Sequence, residues 1–155
     1  MSDLFSLKPT DLQLAAMEEL RACNERTAPV GLILTEQQIQ GLVQRRFEAL
    51  KDTGRVEFGA GILKKLIDAF YDSPYLAPES YEETLLELQD SFYYYKNESE
   101  DRIPDDDLIA FMRHIFDGKA QGSLEYLAGT SLDELCRNTR YGYPSDDADG
   151  MGRSF

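Results

Sequence analysis

The chain holds one histidine, His114, two cysteines, Cys23 and Cys136, and 29 acidic side chains. Those are the residue types from which acid–base, nucleophilic or metal chemistry would have to be built. A catalytic histidine needs an orienting partner and a nucleophile within hydrogen-bond reach. On a helical wheel His114 falls opposite the Leu108, Met112 and Ile115 face, and its sequence neighbours supply neither group. Solvent exposure is the simpler expectation, and no catalytic residue is assigned. No Cys or His pair stands at metal-ligand spacing. Asp105, Asp106 and Asp107 are adjacent, so they point around a helix start, where the helix dipole favours negative charge. Asp147, Asp149 and Gly150 copy part of a calcium loop, with Ser145 as its first ligand and no closing Glu in the sequence. Neither a metal nor a cofactor is expected.

Binding chemistry has more to work with. Gly59, Ala60 and Gly61 precede a helix that carries Lys64 and Lys65 one turn in. Glycines before a helix N-terminus can cradle a phosphate, and Arg55, Glu57, Gly59, Gly61 and Lys64 form the candidate ligand set, with Tyr93 as a polar support. The full phosphate-loop pattern is absent, and a tight turn that needs glycine freedom explains the same residues. Arg46 lies inside the apolar arc of its helix, so it must snorkel, pair with a buried acid, or face a partner. Tyr93, Tyr94 and Tyr95 point in three directions. Tyr95 joins an apolar stripe, Tyr93 lies on a second apolar edge, and Tyr94 falls on the polar side. Tyrosine is enriched at interfaces, which makes Arg46, Tyr93 and Tyr94 the candidate interface residues.

The elements that position these groups are helical. Apolar residues recur at helical spacing in a first helix from Thr10 or Asp11 to about Arg26, whose inward face is expected at Leu12, Ala16, Leu20 and Cys23. Thr35 and Gln38 open a second helix with a capping-box pattern. Its stripe is Ile39, Leu42, Val43, Phe47 and Leu50, and Gly54 closes it. A third, deep helix runs from Ile62 to about Asp72. A fourth begins near Ser80 with Glu83 placed for a capping box. A fifth starts at Pro104 and Asp105. A short helix, Ser123 to Ala128, precedes a last one from Thr130 or Ser131 to Thr139. Residues 31–34 are an apolar run and residues 55–58 alternate polar and apolar, as short strands would. The expectation is an all-α, irregular bundle of six or seven helices, with a two-stranded β patch of residues 31–34 and 55–58 beside the second helix. Residues 1–141 read as one helical domain and residues 142–155 as a flexible tail.

At 155 residues with 42% hydrophobic content, the chain can bury a core without disulfides or metals. Its net charge of −13 repels phosphate backbones and anionic membranes. A helix-turn-helix role would rest only on the basic residues between Arg45 and Lys65. Nucleic acid is therefore a poor expectation. No apolar stretch approaches the ~20 residues that span a bilayer, and the first nine residues lack the pattern of a signal peptide. With two unpaired cysteines, a cytoplasmic location is expected.

Three strings carry a resemblance: residues 53–63 (TGRVEFGAGIL), 88–99 (LQDSFYYYKNES) and 121–129 (QGSLEYLAG). Through them the chain, from about Asn24 to Cys136, resembles an uncharacterised family of small bacterial proteins from Gram-positive anaerobes. That resemblance implies a bacterial, intracellular protein and carries no active site with it. The leading expectation is a non-catalytic acidic helical module that docks a protein partner or a second copy of itself. A small-molecule or phosphate-binding protein using the glycine turn is the alternative.

Overall fold

The computed structural model describes residues 10–141. Six helices of nine residues or more build it: α1 (Asp11–Thr27), α2 (Glu36–Thr53), α3 (Ile62–Phe70), α4 (Tyr81–Glu98), α5 (Asp105–Asp117) and α6 (Asp133–Tyr141). The protein is an all-α bundle. The expected tail and the calcium-loop fragment within it lie outside the described residues.

Local chemistry sets the helix ends. Thr10 and Thr35 each accept a hydrogen bond from the backbone N–H three residues on, and Gln13 and Gln38 return the bond to the cap backbone. Both first turns are thereby satisfied from the side-chain side. Gly54 closes α2 at φ 71°, a left-handed conformation suited to glycine. The box expected at Ser80 and Glu83 does not form. Pro78–Ser80 make a 3₁₀ turn that runs straight into Tyr81, so the Ser80 side chain makes no capping bond. The last two expected helices are one continuous element. A single α turn (Leu124–Tyr126) passes through a π-helical stretch (Leu127–Leu132) into α6. The Tyr95 hydroxyl donates to the Ala128 carbonyl inside that widened stretch at 2.6 Å.

α3 is the hub. Ile62, Leu63, Leu66, Ile67 and Phe70 are all buried, and the helix packs on α1, α4 and α5. α2 closes over α1 and α4. Phe70 meets Phe116 of α5 edge to face, with ring centroids 5.3 Å apart.

Two further sequence expectations are corrected. The buried face of α1 runs through Gln13, Ala16, Met17, Leu20, Cys23 and Thr27, while Leu12 is 56% exposed. Gln13 is drawn inward because it serves the Thr10 cap and also donates to Gln44 of α2. That places Leu12, about 100° away around the helix, on the surface. The β patch is absent, since no strand occurs among the described residues. Leu32 and Leu34 are buried as expected of an apolar run, but a side chain takes the place of a strand partner. The Asn24 amide donates to the Leu34 carbonyl and accepts from the Leu34 N–H, both at 2.9 Å. Residues 55–58 keep their alternation, with the polar side inward. Glu57 faces inward, and Val56 and Phe58 face solvent.

Candidate functional site

Glu57 sits at the centre of a densely bonded polar cluster. Its side chain is 6% exposed. Arg46 Nε donates to Oε1 at 3.0 Å, and Arg55 Nη2 donates to Oε2 at 3.0 Å. The Tyr93 hydroxyl donates to the same carboxylate at 2.9 Å, and the Ile62 backbone N–H donates to Oε1 at 3.1 Å. The carboxylate thus caps α3 from outside and joins α2 to α4. Burial, then the nearby Glu57 charge and its hydrogen bond, push the Tyr93 phenol well above its ordinary value. Tyr93 is therefore a neutral donor here.

The cluster continues as alternating charge. Arg55 Nη2 also reaches Asp105 Oδ2 at 2.8 Å, and Asp105 Oδ1 pairs with Lys96 Nζ at 2.9 Å. The buried Lys96 ammonium also donates to the Ile103 carbonyl. The Arg55 guanidinium lies over the Phe92 and Tyr93 rings, at 5.6 and 5.8 Å from their centroids. Burial works to raise the Asp105 carboxyl, but the hydrogen bonds from Arg55 and Lys96 outweigh it and hold the group below its ordinary value.

The glycine turn is filled by the protein's own carboxylates. A Cβ on Gly61 would stand 2.1 Å from Glu57 Oε1, and one on Gly59 would stand 2.2 Å from Glu19 Oε2. Glu19 accepts from the Ala60 N–H at 2.9 Å. The positions where a phosphate would meet these backbone donors are held by Glu57 and Glu19. Of the five residues expected to share a ligand site, Arg55, Glu57, Gly59 and Gly61 do come together. Lys64 is exposed and pairs along α3 with Asp68 at 3.1 Å.

Of the candidate interface residues, Arg46 is 4% exposed and Tyr93 is 3% exposed, both within the Glu57 cluster. Tyr94 is 57% exposed. It lines a groove of about 490 Å³ between α2 and α4, beside Arg45, which clamps Asp90. His114 is exposed on α5. Among the described residues no three His, Cys, Asp or Glu side chains are grouped as metal ligands would be.

Sequence reasoning missed Asp105, Lys96 and Glu19 as members of this assembly. It also missed the outward pair Val56 and Phe58, exposed by 78% and 77%. Val56 borders a second groove of about 200 Å³ between α1, α2 and the loop, together with Leu12, Phe47, Leu50 and Lys51. The available signal was Arg46 itself. A buried arginine on α2 demands an acid, and Glu57 is placed to meet it only if Val56 and Phe58 turn outward.

Fold and site together define a helical bundle whose interhelical loop is bolted down by a buried ionic cluster. The chain belongs to the DUF6323 family, a family of unknown function whose pattern matches residues 19–145. No curated protein and no solved structure matches it.

Proposed function

We propose that the protein is a non-catalytic docking module that binds a protein partner through the loop carrying Val56 and Phe58. One observation carries this reading. Glu57, between them in sequence, is buried and held by Arg46, Arg55, Tyr93 and the Ile62 N–H, so the two large apolar side chains beside it stand in solvent on a braced backbone. A single exposed apolar residue is ordinary. Two on a loop that is already ordered are different, because little further conformational entropy is lost when a partner covers them. Exposed aromatic anchors on rigid supports are what interface hot spots are made of.

A bacterial, cytoplasmic setting belongs to the same proposal. Cys23 and Cys136 are free and buried, which suits a reducing compartment. No helix among the described residues is long and apolar enough to cross a membrane.

The test is quantitative affinity purification of the tagged chain against the double variant Val56→Asp, Phe58→Asp. Both positions are exposed, so the variant should melt within a few degrees of wild type. The proposal expects at least one protein enriched with wild type and lost with the variant. Identical recovery from both, with the fold intact, would sink it.

A further inference from the structure

We infer that the groove beside this loop takes an acidic amphipathic segment of the partner, with an apolar side chain inserted and a carboxylate set on Lys51. The inference rests on the docking reading and adds the partner's chemistry.

The groove's walls are apolar: Leu12 from α1, Phe47 and Leu50 from α2, and Val56 from the loop. At about 200 Å³ it fits one or two large side chains, the scale of a peptide anchor, not of a flat subunit face. Its charged lining is Arg46, Lys51, Arg55 and Glu57, three cations against one acid. Arg46 and Glu57 neutralise each other at 3.0 Å. Arg55 is shared between Glu57 and Asp105 and keeps 21% of its side chain exposed. Lys51 is exposed in the last turn of α2 and has no carboxylate partner among the described residues. With Arg46 and Arg55 both paired to carboxylates, Lys51 is the one uncompensated cation in the described lining of the groove, on a chain whose net charge is −13.

Charge complementarity selects the occupant. A basic segment would be drawn to the rest of this acidic chain but repelled at the groove. A carboxylate-bearing segment gains at the groove. A second copy meeting face to face through the same surface offers Lys51 no free carboxylate from the groove, since the one acid in its lining, Glu57, is buried and already paired. An amphipathic helix or turn with Leu, Phe or Trp beside Asp or Glu satisfies both the apolar walls and the cationic rim.

The experiment is a display selection of random twelve-residue peptides on the immobilised full chain, followed by fluorescence anisotropy of the enriched peptides. Enriched sequences should combine an aromatic or leucine with acidic neighbours. Their affinity should fall at least tenfold with Lys51→Glu and with Leu12→Asp, and should weaken as salt rises. Both positions are exposed, and a melting curve for each variant confirms that the bundle is intact. Enriched peptides that are net basic, or that bind Lys51→Glu as tightly as wild type, overturn the inference. So does a wild-type dimer in sedimentation that Val56→Asp dissolves, because the groove's occupant is then a second copy. If no acidic peptide binds while Val56→Asp, Phe58→Asp still abolishes recovery of a partner, the acidic segment is refuted and the docking surface stands. If that variant changes nothing, the docking surface falls as well.

Discussion

Glu57 accepts from two arginines, a tyrosine and a backbone amide. Its carboxylate therefore cannot move aside as the end of a surface side chain would. Gly61 is where this rigidity becomes measurable. It has φ 55°, and an added Cβ would meet Glu57 Oε1 at 2.1 Å and Arg46 Nη2 at 2.7 Å. Gly54 has a similar φ of 71°, with nothing within 4 Å of its would-be Cβ. Gly54→Ala should cost only the backbone strain, about 1–2 kcal/mol. Gly61→Ala should cost clearly more in urea unfolding, because its ψ of −131° lies outside the left-handed region that Gly54 occupies and because the Cβ also displaces a buried ion pair whose disruption is worth about 3–5 kcal/mol. Equal losses at the two positions would mean that the cluster yields freely. At this scale the sequence was half legible. A buried acid was one of three ways to accommodate Arg46, beside snorkelling and facing a partner, and Glu57 stood among the residues expected to form a site. The sense of the 55–58 alternation was not readable, because alternation fixes which residues share a face and not which face is buried.

Among the elements, the helices whose ends were set by their own residues were the legible ones. α2 opens with the Thr35–Gln38 box and closes at Gly54, as the sequence implied. Where a preceding segment imposed its geometry, reading failed: the 3₁₀ turn at Pro78–Ser80 fixes the entry to α4 before Ser80 can cap it. A pair of variants follows. Thr35→Ala removes the bond that Thr35 Oγ1 accepts from Gln38 N at 3.1 Å and should destabilise by about 1 kcal/mol. Ser80→Ala removes no capping bond and should change stability by less than about 0.5 kcal/mol. Chemical denaturation of both variants checks the contrast. The π-helical Leu127–Leu132 stretch was invisible to a period of 3.6 residues per turn, which split one element into two.

For the whole molecule, composition and periodicity were enough to give an all-α bundle, and α3 was correctly read as its deep member. What ties the molecule together electrostatically was not legible, because Arg55 is 50 residues from Asp105 and reaches it only after folding. Asp105 makes the consequence testable by pH. Its carboxyl lies below its ordinary value of 3.8 in the folded protein. A depressed carboxyl stabilises the fold above its unfolded value, and that contribution disappears as the pH falls through the lower, folded one. Wild-type stability should therefore decline below about pH 5 as this and other carboxylates protonate. Asp105→Asn should be less stable at neutral pH and should lose less on acidification, so that the two curves converge at low pH. Urea midpoints measured across that range report it directly, and parallel curves would show that Asp105 takes no part.

The Asn24 side chain has a meaning of a different kind. A short apolar stretch such as residues 32–34 is the sort of backbone onto which another chain can add itself by cross-strand pairing, the first step toward fibrils or exchanged segments. One amide, reaching from α1 to both hydrogen-bonding groups of Leu34, has already taken that seat. In this chain a single side chain thus keeps both backbone groups of Leu34 out of reach of a pairing strand.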